Sequence, residues 1–312
     1  MINIRKCAVI GAGFVGATSA FALMQSGLFS EIVLLDMNDK KAAGEAMDLN
    51  HGMPFAKPVN LYAGTYDDIS DAALIIIAAG ANQKPGETRL DLAQKNIAVF
   101  RSVVGEIVRR NTECILLVVT NPVDVLTYAA LKFSGFPPGR VIGSGTVLDT
   151  ARLKFLMAEH FTVDSRNIHA YIIGEHGDSE LAVWSAANIG GIPVRDYCSA
   201  CGDCADFECL RGIFEDVRSS AYKIIESKGA TYYAVAMAVL RISEAIVRNE
   251  NSVLTVSSYL DGQYGIKDIC IGVPAIVGSG GVVKPLDLKL ADDELAGLRA
   301  SAESLRQFTK GI

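Results

Sequence analysis

The chain has 312 residues, half of them apolar, with 29 basic and 35 acidic side chains and a formal net charge of −6. That length predicts two domains or one large one, with enough apolar residues to fill a sizeable core. A net-negative chain without a basic cluster lacks the concentrated Lys/Arg surface that nucleic-acid phosphates require, and no apolar run reaches the roughly 18–20 residues of a membrane span.

The N-terminus "MINIRKCAVI" runs straight into strand-like sequence, so a soluble chain without a signal peptide is expected. "KCAVI" (6–10) leads to a helix from about Phe14 to Gln25, closed by Gly27, and "EIVLLD" (31–36) follows. "ALIIIAAG" (73–80) and "CILLVVTNP" (114–122) flank a long helical stretch over 90–110. Fully apolar strands alternating with helices imply strands buried on both faces, hence a parallel sheet with right-handed crossovers: a doubly wound α/β domain over residues 1–145. Cys7 and Cys114 sit inside these apolar runs, and the seven cysteines are odd in number. Reduced thiols, and with them the cytoplasm, are the expectation.

From residue 146 onward the pattern changes. Helical periodicity covers 149–161 and 213–248, the latter interrupted at Gly229. "SVLTVSSYL" (252–260) and "DICIGVPAIVGSGGVVKPL" (268–286) carry the Gly/Pro punctuation of antiparallel strands, and "DDELAGLRASAESLRQF" reads as an amphipathic helix with an acidic first turn. A mixed α+β domain over 146–312 is expected. With no repeat and no Pro/Ser-rich linker, the two domains should share a broad interface.

"VIGAGFVGATSA" places Gly11, Gly13 and Gly16 as G-x-G-x-x-G between a strand and a helix. In that role the first glycine makes the tight turn, the second admits a pyrophosphate against the backbone, and the third lets helix and sheet pack closely. Asp36 closes the second strand, where a carboxylate accepts from ribose hydroxyls and repels a 2′-phosphate, so NAD is expected over NADP. The alternatives are a merely structural Gly-rich turn and a solvated strand end.

A Rossmann domain does not name a substrate; the second half must supply the chemistry. His176, in "YIIGEHGDSE" (171–180), is one of four histidines. An unperturbed imidazole titrates near pH 6.5 and can exchange a proton at neutral pH. On its own it is equally readable as a structural loop residue. With no second His or Cys at ligand spacing, a metal site is the poorer reading, and no metal is expected.

Six stretches in order, "GAGFVGAT", "AGANQKPGETRLDL" (79–92), "TNPVDVLTY" (120–128), "GSGTVLDTARL" (143–153), "IIGEHGDSE" (172–180) and "KGATYYAVAMAV" (228–239), span essentially the whole chain. With them the sequence resembles the bacterial-type L-lactate dehydrogenases of the lactate/malate dehydrogenase family. The resemblance implies NAD-dependent reduction of pyruvate to (S)-lactate. It makes His176 the proton donor and Asp149 the buried carboxylate that orients it. Arg152 becomes the two-pronged grip on the substrate carboxylate, and Arg89 the loop cation that polarises the carbonyl. Asn121 becomes an amide beside both substrate and nicotinamide. Gly11, Gly13, Phe14, Val15, Gly16, Asp36, Gly80, Ala81 and Val235 complete the implied cofactor site.

Gln83 and Thr231 are implied to face the substrate's third carbon. Malate dehydrogenases carry arginine at the first of these positions, to pair with a second carboxylate. An uncharged Gln83 leaves such a carboxylate desolvated without a partner, at a cost of several kcal/mol, and so favours pyruvate. A dehydrogenase of another 2-hydroxy acid and a catalytically idle NAD-binding relative are the competing readings.

The resemblance also suggests a homotetramer and activation by fructose 1,6-bisphosphate. Its arginine for that effector is Lys154 here, which keeps the charge and loses the two-pronged grip on phosphate, while the matching histidine is present as His169. Alternatively, Lys154 is a solvated helix residue and His169 an ordinary strand residue. Finally, "CSACGDCADFEC" gathers Cys198, Cys201, Cys204 and Cys209. Their spacing lacks the separation of paired zinc knuckles and the terminal Cys-Pro of iron–sulfur loops, so exposed reduced thiols are expected.

Overall fold

The computed structural model describes every residue except 82–85, 87 and 202–206, together with the side chains of all but Arg89 and Cys201 among the rest. Along the first half, β1 (Asn3–Ile10), α1 (Phe14–Ser26), β2 (Glu31–Leu35), α2 (Asp39–His51), β3 (Asn60–Ala63) and β4 (Ala72–Ile77) follow in order. They are succeeded by α3 (Arg89–Val108), β5 (Ile115–Val118), α4 (Val123–Ser134) and β6 (Val141–Gly143). The six strands pair in parallel, in the order β6-β5-β4-β1-β2-β3. The order reverses between β4 and β1, so a crevice opens beyond their carboxyl ends.

The parity of the strand residues explains the layering. Cys7, Val9, Ile32, Leu34, Leu74, Ile76 and Leu117 face one side, where they pack with Leu23 and Met24 of α1 and Val239 and Ile242 of a later helix. Their neighbours Ala8, Ile10, Val33, Leu35, Ile75, Ile77 and Leu116 face the other, against Phe100, Val104 and Ile107 of α3 and Leu126 of α4. With both faces covered, each strand can be apolar throughout, at about 1.5–3 kcal/mol per large side chain removed from water.

The second half begins with α5 (Val147–Phe161). Five two-residue strands follow, β7 (Ile168–His169), β8 (Ile172–Ile173), β9 (Leu181–Ala182), β10 (Asn188–Ile189) and β11 (Ile192–Pro193). After them come α6 (Val194–Cys201), α7 (Glu208–Lys228) and α8 (Tyr233–Val247), then β12 (Ser252–Leu254), β13 (Ser257–Asp261), β14 (Lys267–Gly272), β15 (Ala275–Gly278), β16 (Gly281–Pro285) and α9 (Asp292–Thr309). Gly229, in the left-handed region at φ 84°, ends α7 where the sequence breaks its period.

Two features join the halves. Helix α8 packs on α1 and so covers the first face of the parallel sheet. The antiparallel pair β13–β14 extends that sheet past residue 145, Ser257 pairing with Gly143. A Cβ on Gly143 would lie 2.7 Å from that of Ser257, so glycine permits the junction. Among the described residues no helix is long and apolar enough to cross a membrane.

The cysteine-rich segment departs from expectation. Cys198 is buried, 1% exposed, packed with Val194, Leu210 and Ile213 because it lies on the inward face of α6. Cys209 is disulfide-bonded, not a reduced exposed thiol. Cys204 and the Cys201 side chain lie outside the described residues.

Candidate active site

The predicted cofactor residues gather at the carboxyl ends of the parallel strands. Gly11 follows β1 with φ 105°, and a Cβ there would lie 2.5 Å from the Ala79 amide nitrogen, so only glycine allows the β1 turn to touch the end of β4. At Gly16 a Cβ would meet the Gly11 carbonyl oxygen, which is the close helix-to-turn packing that the third glycine serves. Gly13 is the N-cap of α1 and lends it no side chain. A Cβ on Gly13 would meet nothing within 4 Å. Phe14, Val15 and Gly16 form the first helical turn, whose N–H groups have no partner within the helix. This open cradle at a helix N-terminus fits a pyrophosphate.

Asp36 follows β2, its carboxylate accepting from the Ala12 N–H at 2.7 Å and the Asn38 N–H at 2.9 Å. It is thus held against the glycine turn, within the same crevice. Phe14 stacks on Tyr232, ring centroids 5.3 Å apart. Gly80 and Ala81 follow β4, and Val235 lies in the first turn of α8.

One residue that sequence reasoning missed organises this rim. Asn96, fully buried on α3, accepts from the Ala81 N–H at 2.7 Å and donates to the Asn121 carbonyl at 2.9 Å, tying the loops after β4 and β5 together. Its signal was a lone amide in the apolar stripe formed by Ala93, Phe100 and Val104.

The predicted catalytic residues converge on one cavity, lined among others by Asn121, Asp149, Arg152 and His176. Asn121 precedes Pro122 across a cis bond at the end of β5. Asp149 lies in the first turn of α5, 2% exposed, and Arg152 one turn on. His176 is half-buried in the loop between β8 and β9. Three elements hold that loop. Gly174 pairs with Gly272 of β14 through reciprocal N–H···O bonds of 2.8 and 3.1 Å, the Glu175 N–H donates to Ser301 Oγ of α9 at 2.8 Å, and the His176 N–H donates to Asp124 Oδ2 of α4 at 2.8 Å.

His176 Nδ1 lies 2.5 Å from Asp149 Oδ2, and Arg152 Nη1 donates to Asp149 Oδ1 at 2.8 Å. Burial opposes ionisation of Asp149, yet the His176 charge and hydrogen bond, joined by the Arg152 guanidinium, bring its carboxyl below its usual value. Burial alone would lower His176; the Asp149 charge and hydrogen bond, with Asp124 and Glu180 behind them, raise it to about 9. Asp124 itself is pushed up to about 6 by burial, against the pull of Ser257 and His176. The imidazole is therefore held protonated at neutral pH with Nδ1 engaged, which leaves Nε2 for a ligand.

Sequence reasoning also missed Asp124, Glu180, Arg218 and Tyr222. Tyr222 donates to Asp178 Oδ1 at 2.9 Å and Arg218 to the Asp178 carbonyl at 3.0 Å, so α7 closes one wall of the cavity. Ligand atoms of Asp149, His176 and Glu180 lie within 4.8 Å of one another, but Asp149 is already engaged by an imidazole and a guanidinium.

Thr231 lies just before α8, outside the lining of this cavity. Arg89 is the first residue of α3, its side chain outside the described set, and Gln83 lies outside the described residues altogether. Lys154 is half-buried on α5, and burial lowers its pKa; α5 packs against β7, where His169 is exposed.

Comparison with known proteins agrees with this geometry. Residues 5–143 match the model of the lactate/malate dehydrogenase NAD binding domain, and residues 146–311 that of the family's alpha/beta C-terminal domain. An L-lactate dehydrogenase of Acetivibrio thermocellus is 59% identical over 309 residues, covering 99% of this chain and 98% of that relative. L-lactate dehydrogenase 1 of Clostridium acetobutylicum is 57% identical over 307 residues, 98% of each chain. The solved structure of a minor L-lactate dehydrogenase from Enterococcus mundtii superposes with a TM-score of 0.96 at 43% identity, covering 99% of this chain and 98% of that one. On both sequence and fold, the chain belongs to the lactate/malate dehydrogenase family of NAD-dependent oxidoreductases.

Proposed function

We propose that the chain is an L-lactate dehydrogenase reducing pyruvate to (S)-lactate with NADH, on the strength of one observation above all: the buried Arg152–Asp149–His176 chain of charge-assisted hydrogen bonds in a cavity beside the dinucleotide crevice. The NADH bound in that crevice supplies the hydride for the carbonyl carbon. His176 holds the proton that the carbonyl oxygen needs, at Nε2, because Asp149 engages Nδ1. Arg152, with Nη1 committed to Asp149, keeps further N–H donors for the substrate carboxylate. Asn121 lines the cavity at the end of β5 and offers its amide to the carbonyl oxygen. Arg89 polarises that oxygen on loop closure in this reading, with Thr231 and Gln83 against the methyl group and Val235 against the nicotinamide.

The direct test is NADH oxidation followed by absorbance, with pyruvate, 2-oxobutyrate, oxaloacetate and branched 2-oxo acids side by side; no oxidation with pyruvate would refute the proposal. The same assay reads pH. Reduction consumes the His176 proton and lactate oxidation needs the neutral imidazole, so at saturating substrate pyruvate reduction should fall and lactate oxidation should rise as pH rises through about 9. Parallel profiles in the two directions would remove His176 from the proton transfer.

The reading extends to a cytoplasmic homotetramer; the buried reduced thiols of Cys7, Cys114 and Cys270 support the setting. It extends also to fructose 1,6-bisphosphate at Lys154 and His169. Half-burial lowers the Lys154 pKa, so Lys154 holds its positive charge better at lower pH. The bisphosphate should lower the KM for pyruvate at pH 6 by a factor within the ~5–150-fold range of allosteric coupling, and do much less at pH 8. Pyruvate titrations at constant ionic strength check this: no shift at either pH refutes the site, and equal shifts at both exclude a protonation-dependent one.

A further inference from the structure

Glu180 takes no step in the reaction proposed above, yet its side chain lines the same cavity. It ends the His176 loop, immediately before β9, and is 8% exposed. Its carboxyl group makes no hydrogen bond or ion pair with any described residue; the forces on it are burial and charge alone. A carboxyl oxygen lies within 4.8 Å of both a His176 ring nitrogen and an Asp149 carboxylate oxygen. The charged groups facing it are Asp149 and Arg152 from α5, His176 from its own loop and Arg218 from α7; Tyr222 of α7 and Glu175 and Asp178 of the loop line the same cavity. Asp124 of α4 bonds the His176 backbone in the same cluster.

A carboxylate so placed has no donor to stabilise its charge and a second carboxylate, Asp149, beside it. Burial and the Asp149 charge push Glu180 up to about 8, against the pull of His176, Arg152 and Arg218, so at neutral pH it is the uncharged acid. Ionising it adds a negative charge to the cavity that must admit a substrate anion, and gives Arg152 a competing partner.

We propose, resting on the lactate dehydrogenase reading, that Glu180 is a positioning residue for the substrate: uncharged, it leaves Arg152 to a 2-oxo acid carboxylate, and ionised, it expels that anion. Binding then requires two protons on the protein, one on His176 and one on Glu180. The number of required protons is read from the pH slope of the dissociation constant, tenfold per pH unit for each proton lost.

The probe is oxamate, the unreactive amide analogue of pyruvate, titrated into the enzyme–NADH complex by NADH fluorescence from pH 6.5 to 10. In the parent the dissociation constant should stay flat to about pH 8, rise up to tenfold per unit toward pH 9, and approach hundredfold per unit beyond it, as His176 also loses its proton. Glu180→Gln, which cannot ionise, should never exceed tenfold per unit, and Glu180→Asp should regain the steeper limb. A merely structural Glu180 would alter affinity without altering the slope. A parent limited to tenfold per unit overturns the proposal whatever the variants do, and so does a Glu180→Gln profile as steep as the parent's. A parent that oxidises no NADH with pyruvate would instead remove the reading on which the proposal rests.

Discussion

His176→Asn should lower turnover with pyruvate at least ~10²-fold, the low end for removal of a positioned acid/base, while NADH binds as it does to the parent. Asparagine is close in size to the near half of the imidazole, and its amide can donate to Asp149 Oδ2, where His176 Nδ1 now sits at 2.5 Å. Loop anchorage is also preserved, because the bond to Asp124 comes from the backbone N–H of residue 176, not from its side chain. What the variant lacks is an exchangeable proton at the position of Nε2. The carbonyl oxygen must then take its proton from water in a site that burial keeps poor in it. Since Gly11, Gly13, Gly16 and Asp36, which build the cofactor crevice, are not among the residues lining the His176 cavity, fluorescence titration of NADH should be unaffected. Turnover within tenfold of the parent would rule out His176 as the proton donor.

The parts of this site that were legible in the sequence are those where backbone geometry demands a particular residue. Gly11 and Gly16 stand out because a side chain at either would collide with the backbone of the adjacent turn. The buried strands stand out because both of their faces are covered, which leaves no polar alternation. The break between α7 and α8 was visible at Gly229, whose φ of 84° lies in the left-handed region that favours glycine. By contrast, β7 through β11 have two residues each, too few for any period to register. That β13 and β14 extend the parallel sheet depends on one pairing, Ser257 with Gly143, between distant segments, and nothing local announces it.

The polar residues behind the site were illegible for a related reason. Asn96 and Asp124 are single polar groups in apolar stretches and Glu180 one acid of a polar loop, and their significance lies in what the fold brings against them: two strand-end loops, the His176 backbone, and the Asp149–His176 pair. Once placed, Asp124 and Glu180 join Asp149 in raising His176 to about 9, Asp149 most strongly, through both its charge and its hydrogen bond, and the other two through charge alone.

Gln83→Arg should move the ratio of oxaloacetate to pyruvate activity by ~10²-fold or more, or about 3 kcal/mol, toward the dicarboxylate. Gln83 lies outside the described residues, in the stretch that precedes α3 and its first residue Arg89, so this expectation stands on its place in "ANQKPGETRLDL". The cavity that Asn121, Arg152 and His176 share already carries a cation for one carboxylate. A substrate with a second carboxylate needs a second cation, and among the described cavity-lining residues the other arginine, Arg218, is engaged by Glu215 and the Asp178 carbonyl. An arginine at 83 would supply a planar, two-pronged partner to oxaloacetate. With pyruvate bound, the same guanidinium would be buried against a methyl group without a counter-charge, so the gain on one substrate is accompanied by a loss on the other. The measurement is kcat/KM for both 2-oxo acids in parent and variant at one pH below 8, where Glu180 is uncharged and adds no repulsion of its own. A rise on oxaloacetate alone would mean that residue 83 reaches the second carboxylate but not the methyl group, and an unchanged ratio would mean that it does not face the substrate.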